Sequence, residues 1–401
     1  MLKRFLILAL CYAIGIGPAW GTTYYIATTG SDAADGSSGT PFLTINKFHS
    51  IASPGDIGIV RCGTYTDADN SGSVFTTTNG HNGTSGNPIT IQAETRYCAT
   101  ITVPGLTNTQ NDGMLINSDY LIIDGFEVTG GTSGTGSVNS HTGINVFGGT
   151  GIILRNNKIH DIARTLCYND PYGNAGIFTN TGTASIEISN NIIYGIGRLR
   201  NGESGCSTTI YQHDHGMYID GLVGGTIKYN LVYDSNRGYP IQVSGGTTSN
   251  LTIAHNTLGG HSPTGLPAAQ MVLGDTLNTA DIVNNLSYDA GGYFVDPTFV
   301  TASGVTVRYN ISDGAEKVTT ASGVTFSNNI QNSASLNLTN PGANDYTLGA
   351  GSAAIDAGTV LGGSYTYNGS APDMGAFETS PAVSSNGSFT RGGKGMNGRM
   401  R

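Results

Sequence analysis

Ile153-Leu-Arg-Asn-Asn-Lys-Ile-His, Ile186-Glu-Ile-Ser-Asn-Asn-Ile-Ile-Tyr, Leu251-Thr-Ile-Ala-His-Asn-Thr-Leu and Ile282-Val-Asn-Asn-Leu-Ser-Tyr are variants of one phrase. In each, an alternating strand runs into Asn and resumes with an aliphatic. Looser versions begin at Leu121, Ile227, Val305 and Val324. With the last Asn as marker, Asn157, Asn191, Asn230, Asn256, Asn285, Asn310 and Asn329 are 34, 39, 26, 29, 25 and 19 residues apart. That spacing predicts an all-β solenoid, a parallel β-helix with one coil per repeat and insertions in the early coils. Asn tolerates the left-handed backbone of a sharp corner, and stacked Asn side chains bond one another up a ladder, so these Asn are read as structural. His160, Tyr194, Tyr233 and Tyr288 recur after the markers and are read as a stacked ring ladder.

A second strand precedes each marker: His141-Thr-Gly-Ile-Asn-Val-Phe, Asn174-Ala-Gly-Ile-Phe-Thr-Asn, Asp214-His-Gly-Met-Tyr-Ile-Asp and Gly238-Tyr-Pro-Ile-Gln-Val-Ser. Aligned on their aliphatics, Ile144 and Val146, Ile177 and Thr179, Met217 and Ile219, and Ile241 and Val243 point inward. The alternate residues then point outward. The outer face collects His141, Asn145, Phe147, Asn174, Phe178, Asn180, Asp214, Tyr218, Asp220 and Gln242 on successive coils. Rings with polar neighbours are what a sugar groove needs, since sugars offer apolar faces and hydroxyls together. Tyr239, Arg198 and Arg200 are further candidates for holding substrate.

Composition supports a long, thin core: 60 Gly and 11% charged residues, but 38% hydrophobic residues, too many for a disordered chain. Lys3 and Arg4, an apolar run from Phe5 to Ile16, and Ala19-Trp-Gly21 predict a secretory signal over residues 1–21, too short to span a membrane. Cys62, Cys98, Cys167 and Cys206 remain, an even number that reads as disulfides in an exported chain. Pairing Cys62 with Cys98 and Cys167 with Cys206 closes two local loops. Residues 380–401 read as a solvated tail. A net charge of -9 argues against a general polyanion-binding surface, so no nucleic-acid partner is expected.

The densest titratable stretch is His213-Asp-His-Gly-Met-Tyr-Ile-Asp-Gly221. Around it, seven cations (Arg155, Lys158, Arg164, Arg198, Arg200, Lys228 and Arg237) fall between residues 155 and 237, whereas residues 97–154 and 238–307 have none. Insertions near residues 164–173 and 197–212 flank the same coils. Cleavage of a uronic-acid polymer by β-elimination needs a base, a proton donor and a charge that neutralises the carboxylate. His213 or His215 serves as base, Tyr218 as acid or auxiliary base, and Arg237 or Lys228 as neutraliser. Alternatively, Asp214, Asp220 and Glu203 hold a Ca²⁺ that neutralises. Glycoside hydrolysis needs two carboxyls about 5 to 9.5 Å apart. Asp214 and Asp220 are roughly 20 Å apart along one strand, so a hydrolase would recruit Glu203 or Asp170 from a loop. His213 and His215, with His141 as a third ligand, are a weaker transition-metal option.

Tyr24-Tyr-Ile-Ala-Thr-Thr-Gly-Ser-Asp, Pro54-Gly-Asp-Ile-Gly-Ile-Val-Arg-Cys-Gly-Thr-Tyr, Val295-Asp-Pro, Ser352-Ala-Ala-Ile-Asp-Ala-Gly and Pro372-Asp-Met-Gly-Ala-Phe-Glu carry a family resemblance. The chain resembles secreted right-handed parallel β-helix proteins of the pectate-lyase-like superfamily. The resemblance implies a right-handed β-helix capped by residues 22–65 and closed by residues 340–379. It also implies a monomer acting outside the cell on a polysaccharide, without stable membrane insertion. An acidic-polysaccharide lyase is the first expectation, a hydrolase or uronate epimerase the second, and a non-catalytic carbohydrate-binding or adhesive protein the third. No compact run of Asp with Lys matches the calcium-dependent lyases of that superfamily.

Overall fold

The computed structural model describes residues 21–379 except 68–70, 106–109, 134–139, 169–171, 209–212, 261–268, 290–291, 316–320 and 364. The signal and tail expectations, and Asp170, lie outside the described residues. Within them the chain winds into a right-handed parallel β-helix. A typical coil has three strands, as in Ala175–Thr179, Thr183–Ser189 and Ile192–Ile196, followed one coil later by His215–Ile219, Val223–Lys228 and Leu231–Ser235. Every coil-to-coil pairing is parallel: Ile177 lies beside Met217, Glu187 beside Thr226 and Tyr194 beside Tyr233.

The predicted inward residues are inward. Ile144, Val146, Ile177, Thr179, Met217, Ile219, Ile241 and Val243 are all buried, in a core that runs the length of the helix. Gly143, Gly176 and Gly216 sit in one column. A Cβ on them would lie 2.7 Å from Ile159, 2.7 Å from Ile193 and 2.5 Å from Val232, so their bareness lets the third strand pack against the first.

The Asn ladder forms as predicted. Asn191 Oδ1 accepts from the backbone N–H of Asn157 at 2.9 Å and from its Nδ2 at 3.1 Å, and the pattern repeats through Asn230, Asn256, Asn285, Asn310 and Asn329. Each Nδ2 also donates to a carbonyl of the previous coil, such as Leu154 O for Asn191 and Ile188 O for Asn230. A buried corner with all its polar groups matched avoids the desolvation cost of an orphaned amide. One detail differs from the sequence reading. The left-handed residue is the one before each marker, namely Asn156, Asn190, Tyr229, His255, Asn284, Tyr309 and Asn328, with φ between 52° and 57°. The marker Asn supplies the ladder; its neighbour makes the turn.

The ring ladder stacks His160 on Tyr194 at 4.9 Å and Tyr194 on Tyr233 at 5.0 Å. Tyr288 does not follow directly. Gly259 leaves a gap in that coil, and Tyr346 fills it, 5.2 Å from Tyr233 and 6.1 Å from Tyr288. Both predicted disulfides are present, Cys62–Cys98 and Cys167–Cys206. A short helix, Ile45–His49, buries Ile45 and Phe48 at the N-terminal end. At the other end, Ala354 and Met374 pack with Leu286, Ile311 and Leu336. No helix among the described residues is long and apolar enough to cross a membrane.

Candidate active site

The outward positions of the first strand form a register-matched row: Asn145, Phe178, Tyr218, Gln242 and Val272 on five successive coils. Strand alternation dictates this row once the aliphatics face the core. A groove of about 590 Å³ runs over its middle, with Phe178, Tyr218 and Gln242 as floor. Asn174, His213, His215 and Tyr239 form one wall, and Asp220, Ser244 and Gly274 line the other end. Tyr172 and Phe299 stand at the rim, 60% and 63% exposed.

His215 is held between rings, 5.4 Å from Tyr218 and 5.7 Å from Tyr239. Its Nδ1 accepts the backbone N–H of Tyr239 at 3.1 Å. A neutral imidazole has one donor and one acceptor nitrogen, so this bond assigns the proton to Nε2. In this tautomer His215 is a donor through Nε2. His213 also lines the groove. Burial pushes the Tyr239 hydroxyl up to about 12, with Asp296 adding to the shift.

Tyr218 bonds Ser244, whose hydroxyl donates to Asp275 Oδ2 at 2.6 Å. The same carboxylate oxygen accepts the Gly245 N–H at 2.7 Å. These two bonds hold the Asp275 carboxyl below its ordinary range. Asp220, bonded by the Thr181 hydroxyl at 3.2 Å, is shifted the other way, by burial first and by the charge of Asp275 as well. Burial, then Asp220 and Asp275, raises the Tyr218 hydroxyl against the lowering bond from Ser244.

Gly245 measures the separation of the two carboxyls. A Cβ on Gly245 would lie 2.6 Å from Asp220 Cγ, and its nitrogen lies 2.7 Å from Asp275 Oδ2. With about 2.5 Å between a backbone nitrogen and its Cβ position, the two carboxyls are within about 8 Å of each other. Asp275 and Ser244 were not singled out from the sequence. Asp275 lies two residues past Leu273, the partner of Val243, at φ 51°, where strand alternation no longer says which way a side chain points.

Several expected groove residues lie beneath it. Asp214, expected to point outward and to hold metal, is fully buried. Its Oδ2 accepts from Arg198 N at 2.9 Å and Nε at 3.0 Å, while Oδ1 accepts from Arg198 Nη2 at 2.9 Å, Asn174 N at 3.0 Å and Asn174 Nδ2 at 2.8 Å. Burial alone would raise this carboxyl; Arg198, with Arg237 behind it, overrides burial and holds it at about 2. Arg198 and Arg237 are both fully buried, so neither faces a substrate. Arg237 lies 4.0 Å from Asp214 and donates to Thr208 Oγ1 at 3.0 Å and Tyr168 O at 3.2 Å. This network, with Cys167–Cys206, ties the two long insertions to the strand carrying His215. His141 is also fully buried, with its pKa pushed down to about 4 by desolvation, and is bypassed by the groove. Asn145 is buried too, bonding Asp112 at 3.3 Å.

Other candidates are elsewhere. Lys228 pairs with Glu187 at 3.2 Å and lies over the Tyr365 ring, on the second-strand face. Arg200 donates through Nε to Asn236 O at 2.8 Å. Glu203 is bound by Arg164 at 2.8 Å, by Asn236 Nδ2 and by Arg200 N. Against its burial, those partners hold Glu203 at about 2. Asn180 ends its strand on Val146 O and is outside the groove lining. The expected Ca²⁺ ligands do not converge: Asp214 is saturated by Arg198 and Asn174, Glu203 by Arg164 and Asn236, and Asp220 is left with Asp275. Among the described residues, no three His, Cys, Asp or Glu side chains group to hold a metal ion.

No family model and no curated protein matches the sequence. Among solved structures, the chain is similar to pectate lyase Pel9A, at 20% identity over 90% of this chain and 97% of that one, with a TM-score of 0.55. It is also similar to a structure described as a glycoside hydrolase, at 10% identity over 82% and 99% of the two chains, with a TM-score of 0.50. Likeness at this identity concerns fold, and function must be argued from the site. In fold, the chain is a right-handed parallel β-helix, and it is in fold that these solved structures are similar to it.

Proposed function

We propose that this protein is an extracellular polysaccharide-cleaving enzyme whose chemistry is hydrolysis at Asp220 and Asp275. The observation that carries this reading is the carboxyl pair itself, within about 8 Å at one end of an aromatic groove and shifted in opposite directions. Two carboxyls pushed apart in this way divide the roles of acid and base between them. Asp220, favoured in its protonated form by burial, donates a proton to the leaving glycosidic oxygen. Asp275, kept ionised by Ser244 and Gly245, acts on the opposite side of the sugar as base or nucleophile. Phe178, Tyr218 and Tyr239 stack the sugar rings, and Gln242 bonds hydroxyls. The signal-like N-terminal sequence and the two disulfides support an exported location.

β-Elimination on a uronic-acid polymer is the second reading. It is favoured by the contact of Tyr218 with His215 beside Gln242, in which Tyr218 moves the proton and Nε2–H of His215 meets the carboxylate. Product chemistry separates the two. Incubation with a polysaccharide panel yields new reducing ends without ultraviolet-absorbing unsaturated sugars if hydrolysis is correct. Unsaturated ends would establish elimination instead. Retention on a polymer with no cleavage would replace both by a non-catalytic binding role.

A further inference from the structure

The seven cations that cluster in sequence between residues 155 and 237 are committed to the protein. Arg155 pairs with Asp124 at 2.7 Å, Lys158 with Glu127, Arg164 with Glu203 at 2.8 Å and Lys228 with Glu187 at 3.2 Å. Arg198 and Arg237 are buried against Asp214 beneath the floor, and Arg200 bonds Asn236 O. Among the described residues, the groove lining contains no Lys or Arg. Its one acidic residue is Asp220, with Asp275 bonded to the lining residue Ser244, and the chain carries a net charge of -9.

From this charge pattern we infer that the groove binds an uncharged glycan, a polymer of neutral sugars. The inference rests on the reading of the groove as a glycan-cleaving site and names its substrate class. A uronate polymer brings one carboxylate per sugar. In a groove that holds Asp220, has the ionised Asp275 beside its lining and offers no matched cation, each would be desolvated without a counter-charge and near a like one, which costs binding at close range. A neutral chain meets no such opposition. Its C–H faces meet Phe178, Tyr218 and Tyr239, and its hydroxyls meet Ser140, Thr142 and Gln242. Phe299, 63% exposed at the rim, is a large apolar ring left in water beside the groove, and a stacking platform for a further sugar accounts for it.

The test is affinity gel electrophoresis of the wild-type chain and of Phe299→Ala. The gels contain a neutral polymer (xylan, β-glucan or galactomannan) or a uronate polymer (polygalacturonate or alginate), each at low and at moderate salt. The expected result is retardation by at least one neutral polymer, independent of salt and weakened about tenfold by Phe299→Ala. Retardation by a uronate polymer that salt relieves overturns the inference, and so does retention by none of the polymers. The exposed position of Phe299 keeps the variant folded, so unchanged retardation of Phe299→Ala also counts against it. A neutral polymer that is bound but releases no reducing ends leaves the substrate class standing and removes the hydrolytic reading.

Discussion

Replacing Asp214 by Ala removes a buried carboxylate that accepts five hydrogen bonds. Three come from Arg198 and two from Asn174, all inside a fully buried site. Removing it leaves the Arg198 guanidinium buried without its counter-charge, a situation that costs about 3 to 5 kcal/mol. For a chain of this size, that corresponds to a fall in Tm of roughly 4 to 6 °C. The pH dependence gives an independent magnitude. The folded carboxyl titrates at about 2, against 3.8 for an ordinary Asp. A depressed carboxyl stabilises the fold above its unfolded value and loses that contribution as pH falls through the folded one. The pair therefore supplies about 2 kcal/mol at neutral pH that fades between roughly pH 4 and pH 2. Chemical denaturation of wild type and Asp214→Ala at pH 7 and pH 2.5 (about the middle of that window) reads both effects. The variant should be less stable at pH 7 and should lose less on acidification. Equal stability at pH 7, or an identical acid response, would refute the buried ion pair.

Three further outcomes follow from the structure. Gly245→Ala places a methyl against the Asp220 carboxyl at a residue with φ 103°, so cleavage activity should fall at least tenfold with only about 1 kcal/mol lost in stability; full activity in an endpoint reducing-sugar assay would contradict the placement of Asp220. Asn230→Ala orphans the Asn191 amide in mid-ladder and should cost about 2 to 4 kcal/mol in urea unfolding, and a change below about 0.5 kcal/mol would mean that the ladder is incidental. Opening Cys167–Cys206 by a double Ser substitution releases a loop closed across 39 residues, with an expected loss of about 4 kcal/mol and faster proteolysis within residues 164–212; unchanged protease resistance would count against a bracing role.

How much of this was legible in the sequence depends on what each residue answers to. Inward aliphatics, the Asn ladder and the floor residues Phe178, Tyr218 and Gln242 answer to strand alternation and coil register, both visible as periodicity. Asp214 precedes the strand proper, where the insertion carrying Arg198 folds over it, and no period describes that fold-back. Lys228 and Arg237 are close to the site in sequence, yet the coil turns Lys228 onto another face and buries Arg237 against Asp214. A signal for the pairing was present, because Arg155 faces Asp124 and Lys158 faces Glu127 at one-coil register. The same alignment that finds the coils therefore finds those ion pairs. Asp275 sits within the strand Ala269–Val283 just after a break in its register, and its left-handed backbone, which no period describes, turns it beside Ser244.

Turnover by Asp220→Asn and Asp275→Asn, on whichever polysaccharide the wild type cleaves, tests the central claim most directly. Each variant should lose about 10²- to 10⁴-fold in rate while binding the polymer as before, since each removes a proton-transfer or nucleophilic role. The wild-type rate should be bell-shaped in pH, falling on the alkaline side as Asp220 ionises and on the acid side as Asp275 is protonated. Wild-type rates from either variant would contradict the assignment of the chemistry to this pair.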